Sequence, residues 1–253
     1  MSETKTFEEL FLSYSKEENV KVNKLKILLI NNINSNYMYL LKLKEWQIKQ
    51  EEYFDYLFYL GNFMSFSENK NKNDIKEICN DEAEIGGLLS YLENICLNIV
   101  YIGGSNDTPT IFQKPYPTLT LKSKNLHNNY HKLSEDLYLI GYGGYINKNS
   151  LDDTFSNFED YKKESNKTQN TQLILICNDG KNDEFYKNII KNKKKDIFLF
   201  LNGNIKLKKR EIKLGEITML NPGSICDGEF AILFLERDIG GKWKIQTINY
   251  LII

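Results

Sequence analysis

Apolar residues in this chain fall in short unbroken runs, each closed by small or polar residues, and between runs they recur at helical spacing. The run KILLIN, residues 26–31, shows no polar alternation and suits a central strand buried on both faces. It empties into Asn31-Asn32-Ile33-Asn34-Ser35-Asn36. Residues 36–50 then place Tyr37, Leu40, Leu41, Leu43 and Trp46 in a roughly helical pattern. A second strand is predicted over 54–62, ending in Gly61-Asn62, and the polar stretch FSENKNKNDIKEICNDE reads as a surface loop. Residues 81–95 predict a helix with Ile85, Leu88, Leu89, Leu92 and Ile95 on one side. NIVYIGGSNDTP, residues 98–109, predicts a third strand and a glycine turn.

The first hundred residues thus alternate strand and helix, and each strand ends in a small-residue turn. That pattern predicts a parallel sheet whose carboxyl-end loops share one edge. The second half is richer in strands, at 118–123, 137–146, 172–179 and 196–204, with helical stretches near 152–164 and 182–192. Near the end, EFAILFLE and WKIQTINYLII are spaced to pair as a hairpin across RDIGGK. No repeat or Pro-rich linker divides the chain. Residues 1–23 read as a helical extension carrying Phe7, Leu10 and Phe11, and 24–253 as one domain of two sheets with helices outside.

Charge narrows the function classes. The chain has 33 basic and 34 acidic residues, a net of −1, which argues against nucleic acid as the main partner. No apolar run reaches the ~18 residues of a membrane span, so no membrane insertion is expected. The start, MSETKTFEELF, is polar and acidic, unlike a secretory leader. Cys79, Cys96, Cys177 and Cys226 are widely spaced without CxxC, which predicts reduced cysteines in a cytoplasmic protein. A cytoskeletal or ciliary assembly is a compatible setting.

The strand-end turns hold the candidate chemistry. In order they carry Asn32 and Asn34, then Gly61-Asn62, Gly104-Ser105-Asn106-Asp107, Asn178-Asp179, Gly203-Asn204-Ile205-Lys206 and Asn221-Pro222-Gly223-Ser224. This succession resembles the ordered motifs of the calcineurin-like metallophosphoesterases, closest to their small phosphodiesterase-like branch. ILLINNINSN stands where the family has D-x-H, YLGN where it has GD, and VYIGGSND where it has GNHD. LILICND stands at the strand before a lone His, and LFLNGNIK at GH-x-H. LNPGS and DLYLIGYGG also have the look of that branch. The resemblance spans residues ~24 to 253 and implies a four-layer αββα sandwich of two mixed sheets.

The resemblance also implies where two metal ions would be held. It places the first Asp and His at Asn32 and Asn34, the bridging Asp at Asn62 and the metal-binding Asn at Ser105. The leaving-group His falls at Asn106, the lone His at Asn178, and the last two His at Asn204 and Lys206. Only Asp107 keeps its identity, as the residue that orients the histidine. Two divalent ions need anionic oxygen and imidazole donors, and carboxamides are neutral and weakly coordinating. The expectation is therefore a site without metal, cofactor or catalytic residues, filled by amides that hydrogen-bond to one another. Asparagine occurs thirty times in the chain. Its abundance accounts for which residue replaced the ligands, without restoring them.

Other features have bland readings beside functional ones. His127 and His131 have i, i+4 spacing, and the default is two surface histidines. Gly103-Gly104 and Gly143-Gly144 either cradle a phosphate through backbone N–H groups or simply allow tight turns. The runs Lys193-Lys194-Lys195 and Lys208-Lys209-Arg210 read as solvated loops. The chain is thus expected to be an inactive metallophosphoesterase-like protein serving as a structural or interaction subunit of a larger assembly. A retromer subunit of this fold is a precedent in kind. Two alternatives stand beside it. One is a metal-free phosphoester or nucleotide sensor using Lys206 with Gly104, Gly143 and Gly144. The other is a weak phosphodiesterase using Asp107, Asp179 and His127 or His131.

Overall fold

The unbroken apolar run at 26–31 forms strand β1, Lys24–Ile30, with both faces buried. Leu28 and Ile30 face helices on one side, while Ile27 and Leu29 face a second sheet on the other. The computed structural model describes residues 22–66, 74–112, 123–144, 148–164, 171–178, 196–203 and 210–253. Helix α1, Tyr37–Lys49, follows β1, and the Asn36 side chain caps it by accepting from the Met38 N–H at 3.1 Å. Strand β2, Tyr56–Tyr59, is shorter than the predicted 54–62.

Helix α2, Ile75–Glu93, begins inside the stretch read as a surface loop. Asp74 starts it early, its carboxylate accepting from the Lys76 and Glu77 N–H groups at 2.8 and 3.4 Å. The helical period visible from Ile85 onward therefore continues backward through polar residues. Strands β3, Ile99–Tyr101, and β4, Lys124–Asn125, complete the run of parallel pairs β1–β2–β3–β4. Strand β11, Glu229–Arg237, pairs antiparallel to β1 and forms the expected hairpin with β12, Trp243–Ile252. The first sheet is thus ordered β12-β11-β1-β2-β3-β4.

The second sheet is ordered β5-β6-β7-β8-β10-β9. Its strands are β5, Asn129–Lys132; β6, Leu137–Tyr142; β7, Gln172–Cys177; β8, Ile197–Asn202; β9, Glu211–Leu214; and β10, Ile217–Leu220. The central strands β6, β7, β8 and β10 are parallel, with antiparallel β5 and β9 at the edges. Helix α3, Lys148–Glu164, spans the predicted 152–164. Phe155 and Phe158 pack it on the outer face of this sheet against Tyr138 and Ile140. α1 and α2 cover the outer face of the first sheet. Between the sheets, Ile27, Leu29 and Phe58 meet Leu139, Ile174, Leu199 and Leu201. Four layers result, in the order α, β, β, α. The predicted helix at 182–192, the predicted extension at 1–23 apart from Val22 and Asn23, and the strand at 118–123 apart from Ser123 lie outside the described residues.

A polar clamp ties the sheets together at the end opposite the strand-end turns. Arg237 at the end of β11 forks onto the Asp136 carboxylate just before β6, and its guanidinium lies 4.6 Å from the centre of the Trp243 ring. The Trp243 indole N–H donates to the same carboxylate at 3.0 Å. Burial pushes the Asp136 carboxyl up, but hydrogen bonds from Arg237 and Trp243 and the Arg237 charge outweigh it and hold it below its ordinary value. A lowered carboxyl contributes stability above the unfolded carboxyl pKa of about 3.9 and loses it as pH falls through the folded value. We expect Asp136→Asn to cost about 2 kcal/mol at pH 7, less than a fully buried pair because the carboxylate is partly exposed. The deficit should shrink in urea titrations taken below pH 4.

Candidate functional site: an amide network at the strand ends

The parallel strands of both sheets deliver their carboxyl ends to one edge, where the loops interlock through backbone atoms. Asn32 N–H donates to Gly61 O at 3.0 Å, Gly144 N–H to Gly103 O at 2.9 Å, and Ile225 N–H to Asn31 O at 2.8 Å. The packing is close enough to demand glycine. A Cβ on Gly104 would lie 2.0 Å from Asn62 Oδ1 and 2.3 Å from its backbone N, and one on Gly203 would lie 2.2 Å from Leu60 O. The glycines of these turns therefore admit neighbouring chain.

The turns bring together the predicted positions Asn32, Asn34, Asn62, Ser105, Asn106, Asp107 and Asn178. Asn32, Asn34 and Asn62 hold φ values of 54°, 50° and 63°. This left-handed backbone is one that short polar side chains tolerate best after glycine. Asn62 joins two loops. Its Oδ1 accepts the Asn106 backbone N–H at 3.3 Å, which orients the amide so that Nδ2 donates to Asn32 Oδ1 at 2.6 Å. Asn178 is buried, and its Nδ2 donates to the carbonyls of Leu60 and Gly203. Asn34 Nδ2 lies 3.3 Å from Cys226 Sγ, itself 3.0 Å from Ser224 Oγ.

Asp107 is buried and accepts the Met64 N–H at 2.9 Å and the Gly104 N–H at 2.6 Å, one on each oxygen. It fastens the β3 turn to the β2 turn. Behind it, burial first and the Asp107 charge second hold the Tyr59 phenol well above its ordinary pKa. That hydroxyl stays protonated and accepts the Ile33 N–H at 3.2 Å.

Several participants escaped the sequence reading. Asn31 is fully buried, and its Nδ2 donates to Gly203 O at 2.6 Å, bridging the two sheets. Its position at the end of an apolar run was the available signal. His127 is not a surface residue: it is buried beside Phe112 and Tyr142, and its Nδ1 accepts the Gly143 N–H at 3.0 Å. The apolar Leu126 draws the chain inward there, packing over Gly141. His131 is half-buried against Tyr56 on β5, and burial first and Lys124 second push it down to about 4, so it is neutral at pH 7. The two histidines lie on a bridge and a strand, so i, i+4 spacing does not bring them to a common helix face.

The glycine turns also use their donors internally. Gly104 N–H goes to Asp107, Gly143 N–H to His127, and Gly144 N–H to Gly103 O. Asn204, Lys206 and Asp179, and the lysine runs apart from Arg210, lie outside the described residues.

Comparisons with known proteins bear on the fold. No protein-family model matches the sequence, and no curated protein matches it. Solved structures do match. Protein TT1561 of Thermus thermophilus aligns with a TM-score of 0.61 at 16% identity, over 88% of this chain and 98% of its own. A Staphylococcus aureus protein described as a 5'-nucleotidase, in complex with alpha-ketoglutarate, aligns at 0.54 and 12% identity over 91% of this chain and 54% of its own. This chain has a metallophosphoesterase-like fold. The amide network therefore occupies the strand-end edge of a scaffold shared with these solved structures.

The resemblance to the metallophosphoesterases implies a pair of metal ions at that edge, and the donors among the described residues do not fit them. Where a bridging carboxylate would offer lone pairs, Asn62 offers an N–H. Asp107 has both oxygens engaged. Among the described residues no group of three or more His, Cys, Asp or Glu side chains gathers to hold a metal ion. Among the described residues, three buried side-chain amide atoms have no partner: Asn31 Oδ1, Asn32 Nδ2 and Asn34 Oδ1.

Two substitutions test this geometry. Gly104→Ala drives a methyl group into the Asn62 amide and should cost about 2–3 kcal/mol. Asn62→Asp removes the donor to Asn32 and buries an uncompensated charge, at about 2 kcal/mol. Because that new carboxyl would titrate high, its cost should be largest at pH 7 and partly relieved at pH 4.5, where a protonated oxygen can again donate. Urea denaturation at the two pH values reads both effects.

Proposed function

We propose that this protein is a metal-free member of the metallophosphoesterase-like group, without hydrolase activity, that works as a structural or protein-interaction subunit of a larger assembly. The observation that carries the reading is the Asn62 Nδ2–H directed at Asn32 Oδ1. A donor at that position opposes a cation, where activity would require an anionic oxygen shared between two. Without metal, no group lowers the pKa of water from about 15.7 toward 7. The described side chains supply no substitute base. Asp107 is occupied by two backbone amides, His127 is occupied at Nδ1 by Gly143, and His131 packs against Tyr56 on the edge strand β5. The same contacts weigh against a phosphate cradle, since the Gly104, Gly143 and Gly144 amides are spent inside the protein.

The amide network also supplies what metals would otherwise supply structurally. It joins the β1, β2, β3, β7 and β8 ends through Asn31, Asn32, Asn62 and Asn178. A scaffold held this way keeps its shape in any metal-ion environment. Among the described residues, no helix is long and apolar enough to cross a membrane.

Two measurements on the purified full chain test the reading. The thermal midpoint should be unchanged by EDTA and by 1 mM Mn²⁺ (roughly 10³ times a micromolar Kd, which would otherwise add about 4 kcal/mol). Hydrolysis of p-nitrophenyl phosphate esters should not exceed the buffer rate. A metal-induced rise of several degrees, or metal-stimulated turnover lost on Asp107→Ala, would overturn it. Native purification should return the protein in a stable complex of constant composition, and recovery as a lone chain would argue against the assembly role.

A further inference from the structure

Among the described residues, three of the four sheet edges are short and carry a lysine: β4 has Lys124, β5 has Lys132 and β9 has Lys213. Such devices block pairing with a foreign strand. The fourth edge, β12, is ten residues long. Its pairing with β11 slips between Phe234 and Leu235, leaving Gln246 as the extra residue, and beyond that bulge Thr247–Ile252 runs without a charge, a proline or a glycine.

The hydrogen-bond parity of this segment is fixed. Ile253 N–H donates to Gly228 O, and the register matches Leu251 to Phe230 and Asn249 to Ile232. Residues 247, 249, 251 and 253 therefore direct their backbone groups at β11, and Ile248, Tyr250 and Ile252 direct theirs away from it. The side chains on the outward-directed residues keep the edge accessible at its end. Ile252 is 69% exposed, while Ile248 and Tyr250 lean over the inter-sheet core.

We infer that β12 is a dimerisation edge, pairing antiparallel with β12 of a second copy of this chain about a two-fold axis at Tyr250. In that register Tyr250 faces Tyr250 of the second copy, Ile248 faces its Ile252, and Asn249 faces its Leu251. Every outward backbone group of 248, 250 and 252 is matched. The bulge at Gln246 falls outside the paired region, and Lys244 lies beyond the end of the other strand, so no like charges meet. An isologous pair needs this self-complementarity, and the uncharged half of β12 has it. The two six-stranded sheets would become one continuous sheet. The inference stands apart from the metal question, and its failure would leave that reading untouched.

Sedimentation equilibrium of the full chain should show a reversible dimer. Hydrogen exchange should show concentration-dependent protection at the Ile248, Tyr250 and Ile252 amides, while Asn249 and Leu251 are protected at all concentrations. Ile252→Pro removes an outward N–H on an edge strand, where proline is tolerated. It should raise the dissociation constant by about tenfold or more, equivalent to about 1.4 kcal/mol, with the circular dichroism spectrum unchanged. Ile252→Lys, which keeps the N–H and adds a charge near the second copy's Ile248, should act in the same direction. A monomer at every concentration, a dimer indifferent to both substitutions, or protection outside the three outward amides would overturn the inference.

Discussion

The organising constraint of this molecule is the contact between loops at the carboxyl edge of two sheets. Gly104 lies against the Asn62 amide so closely that no side chain fits between them, and Asn62 in turn holds Asn32 by a hydrogen bond. Asn31 and Asn178 reach across from one sheet to the other, to the carbonyls of Gly203 and Leu60. Sheets packed face to face can slide, because apolar contact is non-directional. Directional bonds at one end and the Arg237–Asp136–Trp243 clamp at the other hold the relative position of the layers.

The chemistry of the edge follows from a restriction on the backbone. Positive φ at 32, 34 and 62 limits those places to residues with short polar side chains or to glycine. Aspartate, histidine and asparagine are all enriched in that conformation. Asparagine therefore suits these turns while carrying neither the charge of aspartate nor the imidazole of histidine. The amide brings both a donor and an acceptor, so one side chain can accept from Asn106 and donate to Asn32, which an ionised carboxylate cannot do. Asparagine is abundant in the chain, and the geometry of these turns suits it.

Much of the architecture was legible in the chain because the central strands are buried on both faces. Ile27 and Leu29 face one core while Leu28 and Ile30 face another, so the run could not alternate. The end hairpin and the order of the strand-end turns were likewise visible. The start of α2 was missed because its first turns are solvated and polar, and only Asp74 marks the cap. Strands β2 and β3 are shorter than their apolar runs, since residues after each strand continue into the buried turns.

The site was legible by position and less so by interaction. That Asn32, Asn62 and Asn106 share one edge followed from topology. Which atom of each amide donates did not, because it depends on a backbone N–H from a different strand. His127 was misjudged for a related reason: its neighbours Asn128 and Asn129 look solvated, and the groups that bury it, Phe112 and Tyr142, come from distant parts of the chain. Sequence spacing carries information about neighbours along one element, whereas donor polarity at a loop junction is a property of several elements at once. The polarity matters more for function here. The same ring of side-chain positions, with Asn62 and Asn32 each turned to present oxygen, would be a weak oxygen site for a hard cation. The Asn106 N–H opposes that orientation, because turning Asn62 Oδ1 away from it would leave this donor facing the Nδ2 group.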